Sequence, residues 1–143
     1  MQQTFEVNSK KDTKKLARKI SNKLKKGDVI ALYGELGAGK TFFTQALCKY
    51  LDVDENVSSP SYVLMNQYAG KFAINHLDLF RLSATEEVWE LGLPDLFEEG
   101  ITIIEWPSLA EDILPQNTIK VKFSLIDDHR IVKVETTWKL LKI

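Results

Sequence analysis

The chain has 143 residues, 44% hydrophobic and 27% charged, with a formal net charge of -1. That suits one domain over residues 1–143 and argues against a second catalytic domain or an autonomous, strongly basic nucleic-acid binder. The single cysteine, Cys48, excludes a disulfide framework and a cysteine-based zinc site, and without a signal-type opening or a membrane-length apolar run a cytoplasmic location with no membrane attachment is expected.

In chain order, Thr4 to Val7 reads as a short strand. Asp12 or Thr13 is placed to cap a helix reaching about Lys26, with Leu16, Ile20 and Leu24 forming its apolar stripe. Residues 10–26 carry nine Lys or Arg against one Asp, and residues 78–112 carry ten Asp or Glu against one Arg. Such a split reads either as solvated helix faces or as a surface that orients docking. Gly27 stops the helix. Val29-Ile30-Ala31-Leu32-Tyr33 is a continuous apolar run, the pattern of a parallel strand buried on both faces. A glycine-rich loop follows, and a helix opens near Lys40 with Phe43, Ala46, Leu47 and Tyr50 on its inner face and Cys48 buried.

Tyr62 to Tyr68 and Phe72 to Leu79 read as two strands joined at Ala69-Gly70. Ser83 with Glu86 has the spacing of a capping box for a helix through about Leu91. Ile101 to Ile104 is a further buried strand ending at Glu105. Asn117 to Leu125 and Arg130 to Thr136 form a closing antiparallel hairpin around Asp127-Asp128-His129. The alternation predicts one α/β domain, a mostly parallel sheet flanked by helices.

Gly34-Glu35-Leu36-Gly37-Ala38-Gly39-Lys40-Thr41 matches the pattern G-x-x-x-x-G-K-[ST]. A triphosphate needs many donors close to its oxygens. Glycines let the loop curl its N–H groups inward, and a side chain at Gly37 or Gly39 would obstruct the approach. The helix N-terminus adds positive potential. Lys40 is expected to reach the β- and γ-phosphates and Thr41 to ligate Mg²⁺. The nucleotide contacts are thus expected at Glu35, Leu36, Gly37, Ala38, Gly39, Lys40, Thr41 and Phe42.

A guanine-reading Asn-Lys-x-Asp is missing: Asn22-Lys23-Leu24-Lys25 lacks the aspartate. ATP is therefore the expected nucleotide. A small-molecule kinase would want an arginine-rich lid, and the chain has only Arg18, Arg81 and Arg130. Hydrolysis by a positioned water needs fewer parts; a nucleotide-dependent binding switch is the other alternative. Asp78 and Glu105 both stand at strand ends, where open α/β sheets put ligands. Spacing leaves open which holds Mg²⁺ and which orients water.

Four segments together resemble the TsaE (YjeE) family, the bacterial P-loop ATPases of tRNA threonylcarbamoyladenosine formation. They are the phosphate loop, Ser58-Ser59-Pro60-Ser61-Tyr62, His76-Leu77-Asp78-Leu79-Phe80-Arg81 and Glu105-Trp106-Pro107. The second is similar to the family's Ser-Pro-Thr-Phe switch, with Ser61 and Tyr62 replacing Thr and Phe. The third is similar to His-x-Asp-x-Tyr-Arg, with Phe80 lacking the tyrosine hydroxyl. The resemblance implies an ATPase of low activity alone, controlled by a TsaB–TsaD complex, with tRNA engaged only indirectly. It further implies that Ser61 senses γ-phosphate or Mg²⁺, that Asp78 is the Mg²⁺ ligand, that Glu105 acts near the γ-phosphate and that Trp106 lies near the nucleotide.

The remaining residues have plainer readings. Trp106 beside Pro107 reads equally as packing. His76 reads as a structural histidine hydrogen-bonded in place, and His129 as part of a turn. Arg81 either neutralises phosphate charge or pairs with a local acid.

Overall fold

The computed structural model describes residues 2–35 and 37–137. Seven strands form one mixed sheet: β1 (Gln2–Val7), β2 (Val29–Tyr33), β3 (Met65–Ala69), β4 (Ala73–Asp78), β5 (Ile101–Glu105), β6 (Ile119–Ile126) and β7 (His129–Glu135). Their spatial order is β1-β7-β6-β2-β5-β4-β3. The centre, β6-β2-β5-β4, is parallel, and antiparallel strands close both edges. The sheet is therefore parallel where it was read as buried, and half of its pairings are antiparallel. The apolar runs of β2 and β5 explain the centre, since strands with no polar face must be covered on both sides.

Helices α1 (Lys10–Ser21) and α2 (Lys40–Tyr50) supply one cover. Leu16 and Ile20 of α1 and Phe43 and Leu47 of α2 pack with Ile30, Leu32, Ile103 and Val121. The short helices α3 (Thr85–Trp89) and α4 (Leu93–Phe97) and the 3₁₀ segment Pro107–Ile113 supply the other, over Val29, Leu77 and Ile104. Phe43 is fully buried and meets Phe123 edge-on at 5.6 Å. Truncating such a ring typically costs about 3–5 kcal/mol.

Several local expectations are corrected. The cap of α1 is Ser9, whose hydroxyl accepts from the Asp12 N–H, and Asp12 reaches back to the Asn8 N–H at 3.0 Å. The helix ends at Ser21, short of Lys26; the Ser21 hydroxyl donates to the Arg18 carbonyl at 2.7 Å, and Lys23 and Leu24 close tighter turns. Gly27 instead donates its N–H to the Gly100 carbonyl beside β5. On α2, Tyr50 is 37% exposed, so the inner face ends at Leu47 and Cys48. Burial pushes the Cys48 thiol up to about 12 and leaves it a small apolar side chain.

The strand expected from Tyr62 begins only at Met65. The Pro60 carbonyl accepts from the Val63 and Leu64 N–H groups, and Leu64 turns at φ 74. The cap of α3 lies one residue later than expected: Glu87, not Glu86, accepts from the Ser83 and Ala84 N–H groups. His129 is the first residue of β7, paired with Ile126, and it meets Glu6 at 2.8 Å. The turn is only Asp127-Asp128, with φ 48 and 65, the handedness that suits a two-residue hairpin.

Candidate functional site

The parallel strands point their C-terminal ends at one edge of the domain, and the chain places its polar residues there. β2 ends at Tyr33 and enters the glycine-rich loop. Gly34 sits at φ +144, and a Cβ there would lie 2.8 Å from the Phe123 carbonyl oxygen, so the loop is pressed against β6 backbone that has no room to yield. Gly37 and Gly39 adopt φ +80 and +111 with no such crowding inside the protein. What they supply is the left-handed backbone itself. Gly39 caps α2 with no side-chain hydrogen bond, leaving the first N–H groups of an eleven-residue helix directed at the site.

Lys40 is 5% exposed, and its ammonium is buried with no hydrogen-bond partner among the described residues. It stands over the Trp106 ring, whose centroid lies 3.6 Å away. Burial lowers its pKa from the usual lysine value, and Glu105, Asp78 and Glu35 oppose that shift. None of these acids forms an ion pair with it within 4.0 Å.

Asp78 and Glu105 are each 3% exposed and are register partners at the ends of β4 and β5. Asp78 is held on both oxygens. Oδ1 accepts the Phe80 N–H at 2.9 Å, and Oδ2 accepts the Ser61 hydroxyl at 2.8 Å and the Ser59 hydroxyl at 3.3 Å. Ser59 and Ser61 also meet at 2.8 Å, so the segment 58–62 is tied to the acid through two hydroxyls. Glu105 Oε2 accepts from His76 Nε2 at 2.6 Å, with His76 fully buried. Directly after Glu105, Trp106 takes the left-handed conformation, φ 56 and ψ 59, which turns its ring back over Lys40 and against Phe80 at 4.8 Å. That conformation costs a non-glycine residue roughly 1–2 kcal/mol.

A cavity of about 190 Å³ gathers Gly37, Gly39, Lys40, Thr41, Phe42, Ser59, Ser61, Asp78, Glu105 and Trp106. The four sequence segments therefore converge on one place. Glu35 and Ala38 line a larger adjoining hollow of about 600 Å³ with Phe123 and Arg130. Leu36 lies outside the described residues. Arg81 forms no ion pair with an acid among the described residues; its guanidinium lies 4.2 Å over the ring of Tyr62, which is 85% exposed.

Sequence reasoning missed three contributors. Ser59 sits two residues before Ser61 and was legible only as part of a motif. Arg130, across the hairpin, carried no local signal. His76 was read as hydrogen-bonded in place, but its partner, Glu105, was not foreseen. The signal was the spacing His76-x-Asp78, which puts both on one face of a strand.

No helix among the described residues is long and apolar enough to cross a membrane.

Comparison with known proteins agrees with this geometry. A curated relative from Rickettsia conorii, named tRNA threonylcarbamoyladenosine biosynthesis protein TsaE, is 39% identical over 127 residues, 87% of this chain and 72% of its own. The Bacillus subtilis protein of the same name is 34% identical over 122 residues, 83% of this chain and 76% of its own. Among solved structures, Bacillus subtilis YdiB superposes with a TM-score of 0.81 at 28% identity, covering 96% of this chain and 87% of that one. The family model described as threonylcarbamoyl adenosine biosynthesis protein TsaE matches residues 7–132, and with a P-loop fold and all four motif segments at one strand-end cavity, the chain belongs to the TsaE family.

Proposed function

We propose that the protein is a Mg-ATP-binding P-loop ATPase that supports formation of threonylcarbamoyladenosine in tRNA, working with a TsaB–TsaD complex and touching tRNA only indirectly. The observation that carries the nucleotide reading is the Lys40 ammonium: buried, and without an acceptor among the described residues. An unpaired buried cation costs a protein several kcal/mol, and such a cost is sustained where an anion completes the site. The loop glycines and the α2 N-terminus complete an anion cradle around it.

The β- and γ-phosphates lie against Lys40 and the loop N–H groups. The nucleoside extends into the adjoining hollow, past Ala38 toward Phe123 and Arg130. The residues present fit Mg²⁺: a hydroxyl from Thr41 and carboxylates from Asp78 and Glu105 line one cavity. When bound, Mg²⁺ neutralises charge between the β- and γ-phosphates. Thr41 and Asp78 would hold it. Ser61 donates to Asp78 and so couples the 58–62 segment to the metal position. Glu105 orients the attacking water and accepts its proton as the water adds to the γ-phosphorus, while the bond from that phosphorus to the β–γ bridging oxygen breaks and ADP leaves with the electron pair. Trp106 shields Lys40 from solvent.

The test is steady-state ATP hydrolysis by the full chain with Mg²⁺, with and without TsaB–TsaD, and with Thr41→Ala as control. Weak activity that rises with the partners and falls by about 100-fold or more in the variant is expected. Unchanged hydrolysis in Thr41→Ala removes the assignment. ATP-dependent complex formation without phosphate release converts the reading to a binding switch.

A further inference from the structure

Glu105 has two carboxylate oxygens, and the structure treats them differently. Oε2 accepts from His76 Nε2 at 2.6 Å, and both side chains are shut away from water. Among the described residues Oε1 has no hydrogen-bond partner, and Glu105 lines the cavity of Lys40 and Asp78. His76 is also fixed from its own side. It stands on β4 two residues before Asp78 and opposite Ile103 of β5, with its ring 6.4 Å from Tyr68. Its Nδ1 is buried and makes no hydrogen bond among the described residues. All its polar contact is thus spent on Glu105. A buried imidazole with one nitrogen unpaired is costly as a mere core filler, where an apolar ring of the same size would serve better.

We propose that His76 is a positioning residue: it clamps Oε2 of Glu105 so that Oε1 alone is presented to the reacting water, at a fixed depth and angle. The inference rests on the reading of Glu105 as the water-orienting acid. A free glutamate rotates about its terminal bond between equivalent orientations, whereas the clamp removes that freedom before nucleotide arrives. Loss of such supporting hydrogen bonds costs activity on the order of 10- to 100-fold.

The experiment compares His76→Leu, His76→Gln, Glu105→Gln and the double variant His76→Leu/Glu105→Gln in the full chain. Each is read by kcat, by Mg-ATP dissociation constant and by thermal melting. His76→Leu is expected to lower kcat about 10- to 100-fold while nucleotide affinity stays within about 3-fold. His76→Gln, which restores an N–H donor, is expected to recover most of that loss. In the Glu105→Gln background, His76→Leu is expected to cost nothing further, because its effect passes through the acid. A readout independent of activity is the imidazole ¹⁵N spectrum of the nucleotide-free protein, assignable because the chain has two histidines. His76 Nε2 is expected to carry a protected proton, and that signal is expected to move in Glu105→Leu.

Wild-type kcat in a folded His76→Leu, or a His76 spectrum indifferent to Glu105→Leu, overturns the clamp while leaving the role of Glu105 intact. Wild-type turnover in Glu105→Gln overturns the underlying reading itself. If His76→Leu does not fold, His76→Gln and the spectrum still decide the matter.

Discussion

Two groups of charged side chains share this sheet and are treated in opposite ways. On the β6–β7 hairpin and beside it, basic and acidic side chains find each other: Lys122 meets Glu135 at 3.0 Å, Lys120 meets Glu111 at 3.3 Å and the His129 imidazole meets Glu6 at 2.8 Å, all at least partly exposed. At the ends of β2, β4 and β5, Lys40, Asp78 and Glu105 are almost fully buried and line one cavity, yet no ion pair joins the lysine to either acid. Exposed pairs contribute little, typically about 0–1 kcal/mol each. Buried charges kept apart are a net cost. The hairpin thus spends its charges on solubility and register, and the strand ends hold theirs in reserve for a ligand.

The contrast is broken most strongly by Lys40→Met. Nucleotide affinity is expected to fall at least about 100-fold, as when a buried charge partner is removed. Stability without nucleotide is expected to rise by about 1–2 kcal/mol, since an apolar side chain of similar length replaces an unpaired ammonium. Titration calorimetry and thermal melting read the two effects, and a variant that melts lower than the parent contradicts the cost assigned to Lys40. The pH dependence has a fixed sign. Burial lowers the Lys40 pKa, so between that lowered value and the usual 10.5 the unfolded chain holds more protons than the folded one. Wild-type stability relative to Lys40→Met is expected to climb with pH through that window and to be lost as pH falls through the lowered value.

A smaller effect sharpens the role of Trp106, which fills the place beside Lys40 with a ring face where the hairpin would use a carboxylate. With Trp89 and Trp138 replaced by Phe, the emission of Trp106 is expected to shift on adding Mg-ATP. A spectrum that stays constant at saturating nucleotide separates Trp106 from the site.

The smallest effect belongs to the hairpin. The hydrogen bond from Lys122 holds the Glu135 carboxyl below the ordinary 4.5, with a weaker contribution from Gln2. Its stabilisation is present above 4.5 and disappears as pH falls through the lowered folded value. Glu135→Gln is expected to cost less than about 1 kcal/mol at neutral pH, and nothing in ATP turnover. Denaturant titration at neutral and acid pH measures the difference.

How far the sequence carried follows from the range of each interaction. The phosphate loop was legible because its chemistry is contiguous: strand, glycines, lysine and helix occupy one stretch. Asp78 and Glu105 were legible because each stands at or near the end of a segment with strand pattern, Glu105 after the apolar run Ile101 to Ile104. The link between His76 and Glu105 depends on β4 lying beside β5 in a particular register, and residues 29 apart carry no local mark of that. Helix caps slipped by a few residues because Ser9, Asp12 and Thr13 all have capping chemistry, and only the backbone decides which is used. The contact of Arg81 with Tyr62 was hidden for a related reason: Tyr62 sits in the turn that delays β3, a stretch expected to be strand.

The strand order also bears on how the protein comes into being. β2, which feeds the phosphate loop, is flanked by β5 and β6, while β1 pairs only with β7. A nascent chain that has exposed the loop and α2 to the cell still lacks both neighbours of β2, and β1 waits for almost the last residue described. Parallel pairings over such separations form slowly. The anion cradle therefore stands on strands that come later in the chain, with Tyr33 paired to Lys122. A ribosome stalled before β6 would carry a recognisable motif with no site.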